Sequence, residues 1–175
     1  MEVVPHVLFR GQCEEAFRFY ADALRGQIVT MLTYGDSPMA ERVPPQWRNK
    51  IIHASLTLAG GALTGADVLP EQYRRPQGFY VLLGVDGPAE AERIFVSLAD
   101  KGVVGMPLQE TFWSARFGVV VDRFGIPWEI SCRQAAPREQ RRPADRARDG
   151  TSESGLVRPK KGGSRRSSGR RVRGS

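Results

Sequence analysis

The chain has 175 residues, 41% hydrophobic and 26% charged, with a formal net charge of +7, which suits one medium domain or two small fused modules. No apolar run approaches the ~20 residues of a membrane span, and residues 1–5 lack the basic and apolar regions of a secretory signal. Two cysteines, Cys13 and Cys132, make neither a disulfide framework nor a metal cluster, so a protein of a reducing compartment, the cytoplasm, is expected.

The predicted elements come in two similar series. Residues 3–9 read as a strand. A helix follows, with Ala16, Phe19, Tyr20 and Ala23 at helical spacing and a stop signal at Gly26. Residues 27–34 are strand-like. Residues 36–49, with three prolines, read as a loop. Strands over 51–58 and 61–66 meet at a Gly60-Gly61 hairpin. The series then repeats: a strand over 78–85, a helix carrying Ala91, Ile94, Phe95 and Leu98 with its stop at Gly102, and strands over 103–106, 115–122 and 126–132, with Phe124-Gly125 at the last turn. Glu15-Ala16-Phe17-Arg18-Phe19-Tyr20 aligns with Glu90-Ala91-Glu92-Arg93-Ile94-Phe95, so the two series are copies of one β-α-β-β-β module. The expected class is α+β: a domain over 1–133, made of repeats 1–67 and 77–133, with curled mixed sheets around a pocket and helices outside.

The charge divides at the end of this domain. Residues 1–132 hold 12 Lys and Arg against 15 Asp and Glu, whereas residues 133–175 hold 14 against 4. The segment 134–175 has almost nothing apolar to bury and is expected to be a disordered basic tail. It offers a weak, salt-sensitive contact to nucleic acid or another polyanion, and without aromatics it lacks the means to stack bases.

Strand alternation separates helix-covered from open faces. In 51–58 it sets Ile52, Ala54 and Leu56 against His53 and Ser55. In 78–85 it sets Phe79, Val81 and Leu83 against Tyr80 and Leu82. In 115–122 it assigns Phe117, Val119 and Val121 to the apolar face and Arg116 to the open one. In the last strand Trp128 and Ile130 oppose Glu129 and Ser131. Two such sheets could enclose a pocket lined by their second faces. Glu129 in that pocket needs a partner, and Arg116 on the neighbouring strand is the expected one. Phe112 and Trp113 follow in a loop, where Trp113 is a candidate ligand platform at the pocket mouth. No Ser-His-Asp or Cys-His spacing and no paired carboxylates point to a nucleophile or an acid–base pair.

Several strings resemble the PhnB-like branch of the vicinal oxygen chelate superfamily, which includes glyoxalase I, bleomycin-resistance proteins and extradiol dioxygenases. They are Cys13-Glu14-Glu15-Ala16-Phe17, Tyr34-Gly35-Asp36-Ser37-Pro38-Met39, Met106-Pro107-Leu108-Gln109-Glu110-Thr111-Phe112-Trp113, and Ala115-Arg116-Phe117-Gly118 through Asp122-Arg123-Phe124-Gly125-Ile126-Pro127-Trp128. The resemblance covers residues 3–132 and implies paired βαβββ modules and a homodimer. The branch also carries the name of a ubiquinone-pathway methyltransferase. No Gly-rich loop joins a strand to a helix here, so binding of a nucleotide-like cofactor is not expected.

Active members of the superfamily hold one divalent metal with a side chain from each of four strands. Carried over, those positions fall on Pro5, Ser55, Tyr80 and Glu129. His6, next to Pro5, is expected to point away from the pocket, and His53 could supply a ligand from a shifted position. The resemblance therefore implies a binder of a small organic ligand, with His53, Ser55, Tyr80, Trp113, Arg116 and Glu129 lining its pocket and no complete metal site. If a divalent metal binds, Glu129 and His53 hold it; no other cofactor is expected. The alternatives are a metal-dependent lyase, isomerase or dioxygenase of the glyoxalase type, and a nucleic-acid-associated module acting through the tail.

Overall fold

The computed structural model describes residues 3–133; the tail 134–175, and the expectation about it, lie outside the described residues. The first unit contains β1 (His6–Phe9), α1 (Cys13–Leu24), β2 (Gln27–Thr33), β3 (Ile51–Leu58) and β4 (Gly61–Asp67). The second contains β5 (Val81–Val85), α2 (Pro88–Ala99), β6 (Val103–Gln109), β7 (Arg116–Val121) and β8 (Pro127–Cys132). Each unit forms a four-stranded mixed sheet, in the orders β1-β4-β3-β2 and β5-β8-β7-β6. The pairs β1–β4 and β5–β8 are parallel and the others antiparallel. This is the α+β arrangement of two βαβββ modules that the repeat predicts. Between β2 and β3, the proline-rich stretch makes two short 3-10 turns, Ala40–Arg42 and Pro45–Trp47.

Apolar spacing decides which faces close. α1 buries Cys13, Ala16, Phe17, Tyr20 and Ala23; α2 buries Ala91, Ile94 and Leu98. They pack on Val7, Phe9, Ala54, Leu56 and Leu63 of the first sheet and on Val81, Val85, Val120, Trp128 and Ile130 of the second, in one continuous core. Tyr20 meets Trp128 edge-on at 5.3 Å and Phe9 meets Phe124 at 6.5 Å, so aromatic contacts run from one unit into the other. Burying each of these large side chains stabilises the fold by about 1.5–3 kcal/mol.

The glycines after the two helices serve close approach, and the left-handed backbone falls one residue earlier. Arg25 (φ 53°) and Lys101 (φ 56°) adopt that conformation. A Cβ on Gly26 would lie 2.8 Å from the Thr57 carbonyl oxygen, and one on Gly102 would lie 2.6 Å from that of Val121. Each helix end is thus pressed onto a strand of its own sheet.

Two strands start later than expected. Pairing of β1 begins at His6 opposite Thr64. Pairing of β5 begins at Val81 opposite Trp128; one step earlier the neighbour is Pro127, which has no N–H to donate. Tyr80 therefore stands just outside the strand. β6 runs to Gln109, beyond the expected end at Met106, because Gln109 pairs with Phe117.

Two buried carboxylates fix the connections. Asp67 Oδ1 accepts N–H bonds from Gly11 (2.7 Å) and Cys13 (3.0 Å), and its Oδ2 accepts one from Ile51 (3.0 Å). Asp122 Oδ1 accepts N–H bonds from Phe124 (2.8 Å) and Ile126 (3.0 Å). Its Oδ2 accepts the Tyr20 hydroxyl (2.6 Å) and Trp128 Nε1–H (2.8 Å). Among the described residues, no helix is long and apolar enough to cross a membrane.

Candidate functional site

On β1, Val7 and Phe9 turn into the core and leave His6 and Leu8 on the other side. His6 thus faces away from the helices, contrary to the expectation made by counting faces from Pro5. His6 pairs with Thr64 across to β4, and Thr64 pairs with Ser55 on β3, which opposes Thr30 on β2. His6, Thr64, Ser55 and Thr30 therefore form one row on the open face. His53, two residues before Ser55, brings its ring to 6.4 Å from that of His6, with the planes 11° apart. His6 Nδ1 lies 2.9 Å from Thr64 Oγ1. Partial burial, and then the neighbouring His53, lower the pKa of His6. Sequence reasoning missed His6 because it counted faces from Pro5, which lies before the strand, whereas the alternation is set by the core residues Val7 and Phe9; their spacing by two was the available signal.

The second sheet's open face has a different composition. Glu129 on β8 stands between Leu82 on β5 and Val119 on β7, and Ser131 stands between Gly84 and Phe117. Leu82 is 59% exposed, Tyr80 52% and Trp113 50%. The loop after β6 is held by Thr111 and Ser114: the Ser114 N–H donates to Thr111 Oγ1 (3.1 Å) and the Thr111 N–H to the Ser114 carbonyl (3.0 Å). That turn sets Trp113 edge-on to Phe117 at 5.5 Å and to Phe112 at 4.4 Å. The loop aromatics thereby continue onto the strand face.

Arg116 is not on this face. Its register partner on β8 is Cys132, a core residue. Its Nε lies 3.3 Å from Glu92 Oε1 on α2. The expected pair with Glu129 is replaced by this one because Val120 and Gly118 are the side of β7 that meets the helix. A Cβ on Gly118 would come within 2.7 Å of Phe95 on α2. The segment Phe117–Val121 is apolar on both faces, so alternation alone could not choose between them. The candidate residues therefore group as His53 and Ser55 on the first sheet, and Tyr80, Trp113 and Glu129 on or beside the second, with Arg116 under its helix.

The four positions that the resemblance assigns to a divalent ion carry Pro5, Ser55, Tyr80 and Glu129. Pro5 has no side-chain donor, and Ser55 lies in a row of hydroxyls. Glu129 has the apolar neighbours Leu82 and Val119 across its strand. Among the described residues, no three His, Cys, Asp or Glu side chains gather as a metal cluster would. One strong donor does not fit the octahedral or tetrahedral demand of such an ion.

A family model described as 3-demethylubiquinone-9 3-methyltransferase matches residues 1–131. Protein YjdN of Escherichia coli (strain K12) is 31% identical over 145 residues, spanning 78% of this chain and 99% of that protein. Among solved structures, protein PA1353 from Pseudomonas aeruginosa is 43% identical with a TM-score of 0.71, covering 77% of this chain and 99% of its own. A PhnB protein from Bacillus cereus, 24% identical with a TM-score of 0.64, covers 75% of this chain and 99% of its own and shares the fold.

Proposed function

The chain belongs to the family described as 3-demethylubiquinone-9 3-methyltransferase, in the PhnB-like branch of the vicinal oxygen chelate superfamily, and from that premise we propose that it binds a small organic ligand on the open faces of its sheets, without the four-strand metal site. The observation that carries this reading is the chemistry of the second sheet's open face. A sheet face left to water carries mostly polar residues between its inward apolar ones. This one presents Tyr80, Leu82, Val119, Phe117 and Trp113 around a single carboxylate, Glu129. Such a surface suits a ligand with a flat apolar body and one hydrogen-bond donor: Trp113 and Phe117 cover the ring, and the Glu129 carboxylate accepts the donor's hydrogen bond. His53 and Ser55 contribute polar groups from the first sheet.

Methyl transfer from a nucleoside-type donor, as the family's description names, is not part of this reading. The turn from β1 into α1 has one glycine, and its Gly11 and Cys13 N–H groups are already donated to Asp67. The α2 helix opens on Pro88, which has no N–H. We read the protein as acting in the cytoplasm as a homodimer, with exposed Phe112 (89%) among the apolar surface open to a second copy.

A thermal-shift screen with planar aromatic amines and phenols tests the proposal. Binders raise Tm by mass action, and the shift is expected to fall at least tenfold in apparent affinity in Trp113→Ala and Glu129→Gln. Binders whose shift survives both substitutions would place the ligand elsewhere and overturn the assignment.

A further inference from the structure

The charge of the segment 134–175 is itself unevenly placed. Residues 134–157 hold five arginines against four Asp and Glu, so the signs nearly cancel. Residues 158–175 hold six arginines and two lysines and no Asp or Glu. Most of them come in the pairs Lys160-Lys161, Arg165-Arg166 and Arg170-Arg171, spaced by Gly and Ser. Val172 is the one large apolar residue of this block, which has no aromatic. The block lies outside the described residues and beyond the family match, which ends at residue 131. The domain does not share its sign. Residues 1–132 hold 12 Lys and Arg against 15 Asp and Glu. Five of those arginines are committed to carboxylates: Arg18 to Glu14, Arg48 to Glu41, Arg93 to Glu90, Arg116 to Glu92 and Arg123 to Asp100. A polyanion is therefore repelled by the domain and attracted by residues 158–175.

Such a block selects a dense line of fixed negative charge. Cations that neutralise phosphates release the counter-ions condensed on them, and this gain follows charge density rather than a fixed side-chain geometry. Each guanidinium can also donate two parallel N–H bonds to one phosphate. We propose that residues 158–175 bind the phosphate backbone of double-stranded nucleic acid. Phosphate contacts carry no sequence information, so one duplex serves as well as another. The composition chooses among polyanions. Binding of unpaired strands gains from aromatic rings on which bases stack; the block has none, and the duplex carries the denser charge. A helix that lies in a membrane interface adds an apolar face to its basic one, which Val172 alone does not supply. The site shares no residue with the open faces of the sheets and does not rest on the small-molecule reading above.

The test uses the full chain without an affinity tag. A short fluorescent DNA duplex is titrated at several salt concentrations and binding is read from its anisotropy. With six to eight phosphates neutralised, log K is expected to fall with log[salt] at a slope of about −5 to −7, a loss of about 10³–10⁴-fold between about 50 and 200 mM. The combined variant Arg165→Gln/Arg166→Gln/Arg170→Gln/Arg171→Gln is expected to make that slope shallower by about 3 to 4 and to weaken binding at low salt at least tenfold. Arg18→Gln, which removes a paired arginine of the domain, is expected to change the affinity less than twofold. A duplex of unrelated sequence should bind equally, and the single strand more weakly. Circular dichroism checks that each variant is folded. Binding by the combined variant equal to that of the unaltered chain would overturn the proposal, as would a preference for the single strand. So would tighter binding to phosphatidylserine vesicles than to the duplex at equal concentrations of negative charge, which would make the block a membrane contact.

Discussion

The two sheets differ most where nothing covers them. The first exposes a polar row, His6, Thr64, Ser55 and Thr30, beside His53; the second exposes Leu82, Val119 and Phe117 around Glu129. Their covered faces follow one plan, with a helix laid over alternating apolar residues and pressed down at its end by Gly26 or Gly102. A core face must fill a fixed volume, so a duplicated module keeps it. An open face is bound by no such demand and can diverge chemically. The buried carboxylates show a second difference. Asp67 serves backbone N–H groups of its own unit alone, whereas Asp122 also takes the Tyr20 hydroxyl from α1 of the other unit.

That asymmetry is most easily broken at Asp122. Asp122→Ala leaves the Tyr20 hydroxyl, Trp128 Nε1–H and two backbone N–H groups unpaired in the core. A cost of about 3–5 kcal/mol is expected, read from the urea midpoint. Near-UV circular dichroism from Tyr20 and Trp128 should change with it. Asp67→Ala also destabilises, but should leave that aromatic signal in place. A loss below about 1 kcal/mol at Asp122, or equal spectral changes in the two variants, would mean that the carboxylate is not what joins the units.

The alkaline limb of stability sharpens the same comparison. Burial, and then Asp122, push the Tyr20 pKa well above its ordinary 10.0; burial, and then Asp67, raise the Cys13 thiol from its ordinary 9.0. Both groups stay protonated when folded and lose protons first in the unfolded chain. Their stabilisation is therefore complete below pH 9 and declines as pH rises past 9 for Cys13 and past 10 for Tyr20. Denaturation curves from pH 8 to 11 should show this decline. Tyr20→Phe should flatten the part above pH 10, and Cys13→Ala the part that begins at pH 9. A stability independent of pH over this range would contradict the burial of both groups on α1.

The covered faces were largely legible in the sequence, and the open faces only in part. Two helices with apolar residues at helical spacing, each followed by Gly and three strands, are enough to specify paired βαβββ units. His53, Ser55 and Glu129 fall on open faces because Ala54 and Leu56, and Trp128 and Ile130, flank them as unambiguous core residues. His6 and Arg116 were misplaced for two physical reasons. On β1 the face count rested on Pro5, which lies outside the strand, while Val7 and Phe9 in the core set the alternation and leave His6 on the open side. On β7, Phe117–Val121 is apolar on both sides, and the choice fell to Gly118, whose missing side chain admits Phe95. Periodicity marks which residues alternate; only packing against a particular helix says which alternate set is inside.

The smallest expected effect tests that choice on β7. With Arg116 on the open face beside Glu129, its loss would strand a partly buried carboxylate and cost about 1–3 kcal/mol. Instead Arg116 pairs with Glu92 on α2 at 3.3 Å, with both side chains substantially exposed, and such pairs contribute about 0.2–1 kcal/mol. Arg116→Ala should therefore cost no more than about 1 kcal/mol, and less in high salt because exposed pairs are screened. A double-mutant cycle separates the registers directly. Arg116→Ala with Glu92→Ala should show a coupling of a few tenths of a kcal/mol, and Arg116→Ala with Glu129→Ala none. If the coupling appears with Glu129, β7 is turned over, and the second open face gains a cation beside its carboxylate. A ligand there would then meet a neutralised pair, and the preference for a hydrogen-bond donor would lose its basis.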